Sequence, residues 1–124
     1  MDRRLPLAAL LALSVAGAGC SSDDKATSKP VEGPTIEVVL NDEGCHPRAI
    51  ATFPGPTNFR VTNKGGSAVT TFEIAEGEKT LAQVKKVGPG AERNVAVTLK
   101  AGNYVTRCPG GSSFDAGTLK VTGG

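Results

Sequence analysis

The side chains best suited to chemistry are two cysteines. Cys45 stands in Gly44-Cys45-His46-Pro47, and Cys108 in Arg107-Cys108-Pro109-Gly110-Gly111. A pair of thiols can form a structural disulfide, bind a soft metal such as Cu(I) or zinc as thiolates, or cycle between the two redox states. Closing so large a loop as a disulfide would add about 4 kcal/mol through lost chain entropy, which a small domain can use. As thiolates, the pair would need further donors, and Glu73 and His46 would complete a tetrahedron. His46 is the only histidine. Pro47 holds it extended, and neighbours in an extended segment point to opposite faces. Cys45 and His46 can therefore share an ion only where a turn re-aims one of them. Asp42, Glu43 and Asp115 lie close by in sequence and could add oxygen ligands. Ser112 and Ser113 lack a histidine placed to activate them, so no catalytic set is expected.

These residues need elements to position them. Thr35–Leu40 alternates, with Ile36, Val38 and Leu40 on one face, and reads as a strand. The turn cluster Asn41-Asp42-Glu43-Gly44 then delivers Cys45. Further strands are expected over Ala49–Phe53, around Phe59 and Val61, and over Ala68–Ala75. In the last of these Ala68, Thr70, Phe72 and Ile74 share one face, and Val69, Thr71 and Glu73 the other. Leu81, Val84 and Val87 recur every three residues, which fits a helical turn or an irregular edge crossing. Arg93–Leu99 alternates with Val95, Val97 and Leu99 inward. Ala101-Gly102-Asn103 turns the chain into a strand over Tyr104–Cys108, with Tyr104 packed and its hydroxyl at the edge, and Thr118–Val121 closes the fold. Many short strands with Gly and Pro turns predict two sheets packed face to face, with a barrel as the alternative and Cys45 and Cys108 at one place in the fold.

The first residues are of another kind. Arg3 and Arg4 precede an apolar run from Leu5 to Val15, and Ala16–Gly19 are small. This is an export signal, too short for a comfortable membrane span. Small residues directly before Cys20 resemble a bacterial lipoprotein processing site, with Gly17 where Leu or Val is usual. The resemblance implies that residues 1–19 are removed and that Cys20 carries lipid. Residues 20–34 read as a polar tether, and residues 35–124 as one small domain. Net charge is +2, with no basic stripe and one tyrosine, which is no footprint for nucleic acid. An exported location permits disulfides.

Taken together, Cys45-His46-Pro47-Arg48-Ala49-Ile50, Phe59-Arg60-Val61-Thr62-Asn63-Lys64-Gly65, Phe72-Glu73-Ile74, Gly88-Pro89-Gly90, Leu99 to Tyr104, Cys108 and Gly117 to Val121 resemble the cupredoxin-like family. The likeness is to the N-terminal domain of periplasmic iron-uptake proteins of the EfeO type. It implies an all-β, Greek-key β-sandwich. It also implies copper or iron binding in metal handling at the periplasmic side or cell surface, beside a transport or redox partner. In blue-copper relatives a histidine late in a middle strand and Cys, His and Met around the last loop hold the metal. Here Cys108 matches the cysteine, Thr71 falls near the first histidine, and the loop from Pro109 to Gly117 holds neither His nor Met. A trigonal His₂Cys copper centre cannot be assembled from these residues. The iron-uptake relatives imply paired cysteines with acids, matching Cys45, Cys108 and Glu73. The alternative is a module without metal that keeps the shell and a Cys45–Cys108 disulfide.

The anchor has a direct test. Mass spectrometry of the exported protein should find a mature chain beginning at lipid-modified Cys20, and Cys20→Ala should leave the protein soluble or unprocessed. An unmodified N-terminus at any other residue contradicts it.

Overall fold

The computed structural model describes residues 26–27 and 29–123. Ten strands occur in chain order: β1 (Ala26–Thr27), β2 (Thr35–Asn41), β3 (Gly44–His46), β4 (Ala49–Thr52), β5 (Gly55–Asn63), β6 (Phe72–Glu76), β7 (Lys79–Val84), β8 (Glu92–Leu99), β9 (Gly102–Arg107) and β10 (Ala116–Val121). They form two five-stranded sheets, ordered β1-β8-β5-β2-β3 and β4-β10-β9-β6-β7. Both are mixed, because β2 runs parallel to β5 and β10 parallel to β4. The chain passes between sheets from β3 to β4, β4 to β5, β5 to β6, β7 to β8 and β8 to β9, and the fold is a Greek-key β-sandwich.

Alternation builds the core as a half-buried strand should. Val38 and Leu40 from β2, Phe59 and Val61 from β5, and Val95, Val97 and Leu99 from β8 meet Phe72, Ile74, Tyr104, Leu119 and Val121 of the other sheet. The Phe59 and Phe72 rings touch at 5.9 Å between centroids. The Tyr104 hydroxyl donates to the Lys100 carbonyl at 2.6 Å, closing the β8–β9 turn at the sandwich edge.

Three expectations change. The strand predicted from Ala68 begins only at Phe72. Residues 64–71 form a loop, so strand alternation does not govern them, and Val69 is core instead of outward-facing. The threefold spacing of Leu81, Val84 and Val87 is neither a helical turn nor a crossing: β7 is an antiparallel edge strand on β6. Ala82 pairs with Ile74 and Thr80 with Ala75, which leaves Leu81 as the extra residue of a bulge. Val87 lies beyond the strand and turns inward. Part of the tether expected over residues 20–34 is bonded to the domain. β1 pairs with β8, and the Asn58 side chain bonds both the N–H and the carbonyl of Val31.

The loops at the Cys108 end are organised by Asn63. Its amide nitrogen lies 3.0, 3.1 and 2.7 Å from the carbonyls of Gly66, Val69 and Val87, and its oxygen accepts from the N–H groups of Gly65 and Gly66. Asn63 is fully buried, so no water can replace these bonds. Asn63→Ala should cost about 3 kcal/mol in urea unfolding, the penalty of leaving several buried backbone groups unpaired. A loss under about 0.5 kcal/mol would show that the loops hold themselves.

Candidate functional site: the Cys45–Cys108 pole

Five connections gather at one end of the sandwich: β2–β3, β3–β4, β5–β6, β7–β8 and β9–β10. Cys45 lies inside β3, opposite Leu40, so its side chain shares the inward face of that sheet. This differs slightly from the sequence reading, which put Cys45 just past a strand. In β9 the inward residues are Tyr104 and Thr106, and Cys108 continues that face one residue beyond the strand. The two meet as a disulfide with Cα atoms 5.9 Å apart, within the usual spacing. It joins the two sheets across 63 positions of chain.

The segment after Cys108 seals the cross-link. Cys108 N–H donates to the Asp115 carbonyl at 2.9 Å, and Gly111 N–H to the Cys108 carbonyl at 3.2 Å. Ser112 N–H reaches the carbonyl of Asp42, and the N–H groups of Ser113 and Phe114 both reach that of Glu43. Cys45 N–H faces the Phe114 carbonyl at 3.4 Å. The segment can lie this close because Gly44, at φ 141°, has no Cβ to strike the Phe114 carbonyl. At Gly111 an added Cβ would stand 2.6 Å from the Glu43 carbonyl oxygen. Cys45 and Cys108 are consequently 3% and 0% exposed, out of reach of a dissolved reductant while this segment stays in place.

The other candidate ligands do not join the cysteines. Glu73 sits on β6 opposite Arg107, and Arg107 alternates with inward Cys108, so Glu73 lies on the outer face of its sheet. His46 follows Cys45 and faces the other way, as the extended geometry requires. Its ring meets Phe114 edge-on at 5.4 Å, and its Nε2 lies 3.7 Å from Glu43 Oε1. The Arg48 guanidinium stands 4.4 Å over the same Phe114 ring, a cation–π contact. The Glu43 carboxylate thus lies near His46 without a hydrogen bond to it, and the buried His46 Nε2 has no hydrogen-bond partner among the described residues. Asp42 Oδ1 accepts from Ala68 N–H at 3.2 Å and ties two pole loops together. Thr71, which the resemblance sets near the first copper histidine, lies half-buried in the loop before β6. Among the described residues no three His, Cys, Asp or Glu side chains converge as a metal-holding group. The donor set does not fit a type 1 copper centre: the matching cysteine is bonded to Cys45, and the loop after it offers no His or Met.

Three contributors escaped the sequence reading. Asn63 read as one residue of the turn Asn63-Lys64-Gly65-Gly66, and nothing local marks it as buried. Phe114 and Arg48 had no periodic signal, because one lies in an irregular segment and the other between two edge strands.

Removing the cross-link isolates its energetic role. The Cys45→Ala/Cys108→Ala variant should lose about 4 kcal/mol by loop-closure entropy, read as a lower urea midpoint. An unchanged midpoint would mean that the segment 109–115 holds the pole without it.

A profile of cupredoxin-like domains matches residues 7–121. The chain is 29% identical over 91 residues to the iron uptake system component EfeO of Yersinia pseudotuberculosis serotype I (strain IP32953), covering 73% of this chain and 24% of that protein. The chain thus spans about a quarter of that relative's length. Among solved structures, auracyanin B superposes with TM-score 0.62 at 13% identity, over 81% of this chain and 99% of that one. Auracyanin of Roseiflexus castenholzii gives 0.60 at 15% identity, over 72% and 97%. Auracyanin A of Chloroflexus aurantiacus, described as a "blue" copper protein, gives 0.56 at 18%, over 73% and 100%. The strand order, the sandwich and the profile agree, and the chain belongs to the cupredoxin-like family.

Proposed function

We propose that this protein is an exported, lipid-anchored accessory of copper or iron handling, acting at the outer face of the cytoplasmic membrane or the cell surface beside a separate transport or redox partner. It is not an enzyme. The likeness to an iron-uptake component supports the metal-handling class. The observation that carries the reading of the site is the Cys45–Cys108 pair at one pole of a cupredoxin-like sandwich. In the oxidised form the sulfurs are occupied by each other and offer no thiolate. A dithiol reductant, itself oxidised to a disulfide, supplies two electrons and two protons and leaves two thiols. Cu(I) then displaces both protons and binds two thiolates, the donors that suit it. An acid of the pole, Glu43 or Asp115, supplies the third ligand in this reading.

A second reading is favoured by the burial of both cysteines: a binding or structural module whose disulfide serves stability alone. The two separate in one titration series. Oxidised protein mixed with Cu(II) should show no intense blue band. Reduced, folded protein should bind one Cu(I), with Zn(II) as comparison, and Cys45→Ala/Cys108→Ala should abolish that binding. Failure of reduced, folded protein to bind would leave the second reading. Tight binding by the oxidised form through carboxylates would keep the metal class and overturn the cysteine site.

A further inference from the structure

The described chain enters the sandwich near the pole remote from the disulfide. β1 is antiparallel to β8, with Ala26 opposite Val97 and Thr27 opposite Ala96. β8 itself travels from Glu92, beside the disulfide pole, to Leu99 at the remote pole. β1 therefore has its first residue on the side of Leu99 and its last toward the disulfide pole. The residues after β1 cross the outer face of the same sheet toward β2. Asn58 and Ala96 pair on the outer face of the sheet, yet are only 3% and 1% exposed. Asn58 bonds the N–H and carbonyl of Val31, and its own N–H donates to the Pro34 carbonyl at 2.8 Å.

Cys20 stands six Cα steps before Ala26. Fully extended, that length reaches at most about 21 Å. Running back along β8 from Val97 to Glu92 uses about 17 Å of it, before the loops of the disulfide pole are cleared. At the remote pole only Thr98 and Leu99 remain to be passed. Reach thus favours the remote pole as the end nearest a lipid on Cys20.

That pole also carries Phe53, at 72% the one large apolar side chain that is exposed among the described residues. It follows β4, where the Thr122 N–H bonds the Thr52 carbonyl and brings Gly123 alongside the ring. Exposed Lys120 sits across from Ala51 on β10, and exposed Lys100 follows Leu99, which pairs with Gly55. An exposed aromatic ring with lysines beside it suits the headgroup region of a bilayer, where rings settle at the interface and ammonium groups meet anionic phosphates.

We propose that the pole bearing Phe53, Lys100 and Lys120 is a membrane-contact surface, which turns the Cys45–Cys108 pole away from the bilayer. The proposal rests on the lipid-anchor reading of Cys20. A lipid anchor and a weak apolar-plus-basic contact act together, each adding to the hold of the other.

The chain contains no tryptophan, so Phe53→Trp supplies a single reporter at the contact and Ser113→Trp one at the disulfide pole. Each full-length, lipidated protein is reconstituted into vesicles of phosphatidylethanolamine and phosphatidylglycerol with brominated acyl chains. The lipid on Cys20 is weighed by mass spectrometry in the same sample. The reporter at position 53 should be blue-shifted and quenched by the brominated chains, and the reporter at position 113 should keep its emission in water. Lipid on Cys20 with no quenching at position 53, or equal quenching at both positions, overturns the contact and leaves the anchor standing. No lipid on Cys20 overturns both.

Discussion

One covalent bond sets the terms for the functional end of this protein. The Cys45–Cys108 disulfide ties an edge strand of one sheet to the end of a central strand of the other. The surrounding backbone is arranged around it. The segment after Cys108 returns to bond the β2–β3 turn, and Gly44 and Gly111 let it lie flat. Asn63 performs the matching task from inside the core, gathering three carbonyls of the neighbouring loops. A small sandwich has little core to hold long irregular loops. Here a covalent link and one saturated amide fix them instead.

The same bond decides the chemistry. The resemblance to blue-copper relatives implies a metal-ligating cysteine at the position of Cys108. Here the corresponding sulfur is bonded to Cys45, and the loop that follows is spent on backbone hydrogen bonds to Asp42 and Glu43. At this end Asp42 bonds the Ala68 N–H, and the His46 ring packs edge-on against Phe114. The cupredoxin-like fold is retained, and the sulfur of Cys108 is part of a disulfide. Any metal chemistry by the cysteine pair is therefore conditional on reduction, and the covering segment controls access to it.

The legible parts of the chain were those where a two-residue period meets a single core. Val38 and Leu40, Val95, Val97 and Leu99, and Tyr104 all point inward as their alternation requires, and the cysteines meet because both continue inward faces. Glu73 is a candidate ligand by family likeness and His46 by its place beside Cys45, but the same alternation sets both on the face away from the cysteines. The unread parts were irregular. Val69 is buried by a loop whose shape comes from a side chain several residues earlier. Leu81 breaks its strand's period through a bulge. The N-terminal strap has almost no apolar content, and it is held by backbone pairing and by Asn58 instead.

The central claim is that the pole is closed by a disulfide in the protein as exported. Its most direct measurement is alkylation of the native exported protein, without reductant, followed by non-reducing peptide mapping. The account predicts one cross-linked peptide joining Cys45 to Cys108, with neither cysteine alkylated. Recovery of both as alkylated thiols, or a pairing of either with Cys20, would contradict it.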